Sequence, residues 1–201
     1  AEAECLRATA EAVIRNDFKY PVACGHNCSL SIHSDDRAAD TIALVKEAGI
    51  HLIALPLCNL YLQGRKRNEA GQPLTPQWRG LTRIHELIEA GVPVSCGSDN
   101  VRDAFFAWGD YDLWEVFQAS VRIGHLDTRL DYAPGVVTHR PAAVMGLTGY
   151  GRIAPGSPAD LIVASAGSFN EFIARPSADR RLIHHESFRE TTLPDYAELR
   201  P

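Results

Sequence analysis

The chain has 201 residues, with 20 Lys+Arg against 25 Asp+Glu, a formal net charge of −5 and 45% hydrophobic residues. This is the composition of one globular domain or one and a half, far from a disordered profile. A mildly acidic chain without Lys/Arg clusters lacks the positive field that nucleic-acid backbones and anionic lipids select, and no apolar run approaches the ~20 residues that cross a bilayer, so nucleic-acid and membrane partners are set aside.

Leu6, Ala10, Val13 and Ile14 recur at helical spacing ahead of Asn16-Asp17 and predict an amphipathic helix from Ala1 to Asn16. That pattern starts at the first residue, with no Met, cap or signal-peptide character before it, and reads as the later part of a longer, cytoplasmic protein. Pro21 to Gly25 is a short buried strand. Ser34-Asp35-Asp36 is an N-cap cluster for a helix whose inner face is Ala38, Ile42 and Val45 and which Gly49 ends. Ile50 to Leu57, apolar except for His51, is the second strand.

Beyond a polar loop from Gln63 to Arg79, Leu81, Ile84, Leu87 and Ile88 mark a helix closed by Gly91, and Val92 to Cys96 is the third strand. Strands apolar on both faces that alternate with helices imply a parallel α/β sheet, doubly wound or closed as a barrel. A further helix runs from Asp112 to about Gly124, with Leu113, Val116, Phe117 and Val121 inward. Pro141 to Leu147 is a short helix, Gly149, Gly151, Pro155, Gly156 and Pro158 punctuate a turn region, and Ala159 to Ala164 is a strand. The tail from Ser165 reads as polar and irregular, with one strand near Arg181 to His184.

In parallel α/β architectures functional groups gather where strands end, because that rim is open while the interior is packed. The three strand ends carry Gly25-His26-Asn27, Pro56-Leu57-Cys58-Asn59 and Gly97-Ser98-Asp99-Asn100. Strand alternation gives His26 the parity of Val22 and Cys24, and Asp99 that of Ser95 and Gly97, so both can project into one pocket. Taken alone, a strand-end histidine is a surface or capping residue, and Ser-Asp-Asn is also a turn signature. His51, His85, His184 and His185 read as structural or solvated, without a second ligand at metal spacing, while His33 and His125 sit beside loops. The five cysteines are an odd number, four of them in or beside apolar runs as buried thiols usually are, so disulfides are not expected, and Cys24-x-x-x-Cys28 has no second pair for a structural zinc. The absence of a glycine fingerprint after a strand counts against a nucleotide-binding domain.

Taken in order, these segments resemble the amidohydrolase superfamily, and more closely its cytosine deaminase-like branch. The matching pieces are Gly25-His26, Pro56-Leu57-Cys58-Asn59-Leu60-Tyr61-Leu62-Gln63-Gly64-Arg65, Arg79-Gly80-Leu81-Thr82-Arg83, Gly97-Ser98-Asp99-Asn100-Val101-Arg102-Asp103, and Gly151-Arg152-Ile153-Ala154-Pro155-Gly156-Ser157-Pro158-Ala159-Asp160-Leu161. The resemblance implies the C-terminal half of a (β/α)8 TIM-type barrel over residues 1–148, then the return segment of a small β-sandwich and a tail over 149–201. It implies one divalent metal ion, zinc or iron, with Asp99 as ligand and proton carrier and His26 orienting the attacking water or the substrate carbonyl. Asn100 and Phe105 would bind a heterocyclic substrate by its edge and its face.

The family's His-x-His and His-x-x-Glu motifs, which supply the other metal ligands and an acid, are absent from this sequence. The implied enzyme therefore needs the missing N-terminal half of the barrel, also to cover open strand edges, and this segment alone is expected to be inactive. The implied reaction is hydrolysis of a C–N bond in a small nitrogen heterocycle such as cytosine. Asn100 stands where cytosine deaminases carry a second Asp, which keeps an amino-triazine or cyclic-amide substrate open. The rival outside enzymes is a non-catalytic remnant or assembly subunit, and homo-oligomerisation is left open.

Overall fold

The computed structural model describes residues 4–175 and 180–190, so the first three residues of the predicted N-terminal helix lie outside it. The chain divides into two compact units, 1–147 and 148–201. In the first unit α1 (Cys5–Arg15) packs on α2 (Asp35–Glu47) through Leu6 and Ala10, both buried. β1 (Ala23–Gly25), β2 (His51–Ala54) and β5 (Val94–Cys96) form a parallel sheet in the order β1-β2-β5. Ala23 pairs with His51, and Leu52 pairs with Val94. Leu52 and Val94 are completely buried, as expected of strands covered on both faces.

Two glycines decide where helices hand over to strands. After α2, Gly49 adopts a φ of 65°, its N–H reaches Lys46 O at 3.1 Å and the Ile50 N–H reaches Val45 O at 3.1 Å. α4 (Ile84–Glu89) ends identically: Gly91 has a φ of 81°, with its N–H on Ile88 O and the Val92 N–H on Leu87 O, both at 2.9 Å. This is the two-bond helix stop that a left-handed residue permits, and it turns the chain straight into β2 and β5.

The second apolar run divides in two. β2 stops at Ala54, and Pro56 starts α3 (Pro56–Leu62) at a position where its fixed φ and missing N–H carry no penalty. The polar loop holds a small hairpin, β3 (Lys66–Arg67) with β4 (Pro73–Leu74). In α5 (Leu113–Ile123) the Asp112 side chain caps the Trp114 N–H at 2.9 Å, but the inner face at this end belongs to Trp114, not Leu113. Leu113 is 45% exposed because Trp114, Phe117 and Val121 form the spaced set that meets the core. Short 3-10 turns at Cys28–Ile32, Leu126–Arg129 and Ala133–Val137 and the helix α6 (His139–Val144) complete the unit.

In the second unit the tail is more regular than its polarity suggests. β6 (Leu161–Ala164), β7 (Arg180–His184) and β8 (Ser187–Arg189) form an antiparallel sheet in that order, with α7 (Phe169–Ala174) between β6 and β7. Ser168 caps α7 by accepting from the Glu171 N–H at 3.2 Å. Among the described residues no helix is long and apolar enough to cross a membrane.

Candidate active site at the strand ends

The parallel ladder ends at one level. The His26 N–H still donates to Ile53 O at 3.1 Å, and the Gly97 N–H donates to Ala54 O at 3.0 Å. There the backbone leaves the extended region: His26 and Asn27 have φ values of 64° and 54°, and Asp99 has 64°. Such conformations are uncommon outside glycine, enriched in Asn, Asp and His, and cluster at functional sites because they cost energy that the surroundings must hold. The alternation expected to carry His26 and Asp99 toward one pocket thus stops short of both residues. The left-handed turns bring them together instead, with His26 Nδ1 3.7 Å from Asp99 Oδ2.

Asn59, on α3 and 1% exposed, meets His26 from below, its Oδ1 2.9 Å from His26 Nδ1. An amide oxygen only accepts, so Nδ1 carries the proton and Nε2 is left for another partner. Asn59 belongs to the Pro56 to Arg65 segment, but nothing in a one-dimensional pattern shows that a helix follows β2 and aims this amide at His26. The glycines of the same segments serve this seat. Gly80 has a φ of 70°, and a Cβ there would lie 2.2 Å from Gln63 Cγ and 3.1 Å from Asn59 O.

Asp99 Oδ2 is buried and accepts no hydrogen bond among the described residues. A buried carboxylate oxygen without a donor is unfavourable unless a cation or proton meets it, so this atom fits a metal ligand. Beside it, burial first, and then the neighbouring Asp99 carboxylate, push the Cys58 thiol up to about 12. Its Sγ donates to Asn100 Oδ1 at 3.3 Å.

Asn100 is committed to its own loop, for its Nδ2 donates to Asp103 Oδ2 at 2.6 Å. Asp103 Oδ1 in turn accepts from the Phe105 and Phe106 N–H groups, both at 2.9 Å. These donors hold the Asp103 carboxyl below the usual carboxylate range, the Phe106 N–H foremost. Phe105 is 61% exposed, whereas Phe106 is buried with its ring 5.3 Å from that of Tyr61. A groove of about 1370 Å³ opens beside His26, lined also by Asn27, Gln63, Arg65 and Trp78.

The remaining histidines divide. His51 is buried, with Nε2 2.7 Å from Ser95 Oγ, and burial, then Arg140, push its pKa down to about 4. His85 Nε2 lies 2.7 Å from Gly124 O. His184 and His185, expected to have no second ligand near them, lie beside Asp160 in the second unit.

Residues 1–193 match the amidohydrolase family. The chain is 50% identical over 194 residues to a pterin deaminase of Rhizobium rhizogenes, covering 96% of this chain and 43% of that protein. It is 23% identical over 165 residues to an N-isopropylammelide isopropyl amidohydrolase of Pseudomonas sp., covering 80% of this chain and 36% of the other. The structure of 5-methylcytosine deaminase from Klebsiella pneumoniae superposes with a TM-score of 0.78 and 26% identity, over 98% of this chain and 48% of that one. N-isopropylammelide isopropylaminohydrolase from Burkholderia multivorans shares the fold, with a TM-score of 0.71 and 19% identity over 91% of this chain and 42% of that one. The chain spans less than half the length of each of these relatives. With the match running along nearly its whole length, the chain belongs to the amidohydrolase family.

Proposed function

We propose that residues 1–148 are the carboxyl-terminal half of a metal-dependent (β/α)8 deaminase and that residues 149–201 carry the return segment of its small β-sandwich. Three features support this: among the described residues β1 and β5 are sheet edges, Ile162, Val163 and Phe188 of the second unit are exposed, and the relatives are more than twice as long. Edge strands and bare apolar faces need covering, so activity belongs to the chain joined to the remaining half of the barrel. The five free cysteines go with a reducing, cytoplasmic compartment.

The observation that carries the reading is the buried Asp99 Oδ2, which accepts no hydrogen bond among the described residues, held 3.7 Å from His26 Nδ1 at the open ends of parallel strands. Asp99 would hold the divalent ion together with ligands from the other half. When bound, zinc or iron supplies a hydroxide nucleophile at neutral pH by lowering the pKa of water. Asp99 takes the proton of the attacking water and hands it to the leaving nitrogen. His26, its Nδ1 proton committed to Asn59, offers Nε2 to that water or to the substrate carbonyl. Phe105 stacks on the heterocycle, and Asn100 meets its edge by exchanging one of its loop contacts for the ligand. In sum, C–NH2 and water become C=O and ammonia.

The 50% identity to a pterin deaminase favours a fused two-ring aminopyrimidinone over cytosine. Ammonia release by the intact, metal-loaded enzyme from pterin, cytosine and an amino-triazine tests this. Turnover of pterin above the others supports the assignment, and preferential turnover of cytosine or the triazine moves the substrate. No release from any aminated heterocycle would overturn deamination, and hydrolysis of a cyclic amide, followed by ring opening, then separates the remaining hydrolase reading from a non-catalytic role.

A further inference from the structure

The second unit has its own group of metal-binding side chains, and we infer that Asp160, His184 and His185 form a divalent-metal site separate from the one at Asp99. Adjacent residues of a strand point to opposite faces, so a His-His pair in a strand cannot share an ion. Here β7 ends at His184, and His185 and Glu186 form the two-residue turn into β8 with φ values of 49° and 60°. The left-handed backbone at His185 breaks the alternation and brings the two rings to one side, their centroids 3.9 Å apart. Asp160, directly before β6, lies next to them because Leu161 pairs with Ile183. Its Oδ1 accepts from His184 Nδ1 at 2.7 Å and from the His185 N–H at 3.3 Å.

One donor atom from each of the three residues lies within 4.8 Å of the others. Donors bound to a tetrahedral zinc at about 2.0–2.2 Å stand roughly 3.3–3.6 Å apart, so side-chain rotations that move the donor atoms by up to about an ångström close the set. Two imidazoles and one carboxylate suit zinc, nickel or copper(II) and give magnesium and calcium little purchase. All three residues are exposed, which leaves the remaining coordination positions to water and makes the ion exchangeable. The assignment is independent of the chemistry at Asp99, since it shares no residue with that site.

Zinc titration of the intact protein by calorimetry tests the inference in the wild type and in the variants His185→Asn, His184→Gln and Asp99→Ala. Asparagine tolerates the left-handed backbone and glutamine can still donate to Asp160, so both turn variants keep the hairpin. Unfolding in the presence of a chelator at the wild-type temperature checks this. The expected result is one saturable zinc equivalent, apart from any taken up at Asp99, that persists in Asp99→Ala and weakens at least about tenfold in His185→Asn and in His184→Gln, the smallest loss seen even for outer partners of metal ligands. Absence of such an equivalent in the wild type, its loss in Asp99→Ala, or unchanged uptake in both histidine variants would overturn it.

Discussion

His26 Nδ1 and Asp99 Oδ2 stand 3.7 Å apart although the strands they follow, β1 and β5, are not neighbours but flank β2. Both residues leave their strands through a left-handed backbone, and Asn59, the first buried polar group beyond β2, completes the row from the middle strand. One residue from each successive strand end thus contributes to a single polar cluster above a packed apolar sheet.

Asp99 is the residue on which turnover depends most. In the intact enzyme Asp99→Asn keeps the volume and removes the charge, and kcat/KM for ammonia release is expected to fall by about 10²–10⁴, the range for losing a general acid-base group. Metal content measured after dialysis should fall with it. Wild-type turnover in this variant would reject the assigned role.

Asn59 acts on the reaction only through His26. Truncation in Asn59→Ala frees the imidazole to rotate and removes the acceptor that selects its tautomer, so kcat is expected to drop roughly 10–100-fold, as for other orienting partners. KM and metal content should change little. A loss of metal equal to the loss of turnover would instead give Asn59 a direct part in binding the ion.

His51 makes stability depend on pH. Its folded pKa is pushed down to about 4 from the ordinary 6.5, so between these values the unfolded chain binds a proton that the folded chain refuses. The contribution is complete above the unfolded value and is lost as pH falls from 6.5 toward 4, by roughly 3 kcal/mol at most. Urea unfolding at pH 7 and pH 4.5 would reveal the slope, and His51→Gln should flatten it while retaining a partner for Ser95.

Gly80→Ala tests the seat beneath Asn59. The new Cβ would sit 2.2 Å from Gln63 Cγ on a backbone with a φ of 70°. Strain of that kind costs about 1–3 kcal/mol, read as a shift in the urea midpoint. Because the same atom would press to 3.1 Å from Asn59 O, turnover should fall along with stability. An alanine variant as stable and active as the wild type would show that this close packing is dispensable.

Much of this architecture was legible in the residues. Gly49 and Gly91 follow amphipathic stretches and precede apolar runs, and each terminates its helix with the same pair of backbone bonds. His26 and Asp99 are identifiable as strand-end residues, but left-handed turns, not strand alternation, bring them together. Leu113 and Trp114 show a similar limit, since neighbouring apolar residues at a helix start compete for one inner face and only the packed core selects between them. The hydrogen bonds that occupy Asn100, from Cys58 on α3 and to Asp103 in its own loop, are invisible in a linear pattern.

By itself the sequence determined the main helix–strand alternation of the first unit, the parallel character of its sheet and the residues at the strand ends, because these follow from local periodicity, glycine stops and two-faced apolar runs, whereas α3 and the β3–β4 hairpin do not. Only the tertiary structure decided which polar atoms meet: Asn59 with His26, Asp160 with two adjacent histidines, and Asp99 Oδ2 with no donor among the described residues. Those outcomes depend on left-handed turns and on pairings between distant segments, and a change of a few tens of degrees in one backbone angle redirects a side chain without altering the hydrophobic pattern.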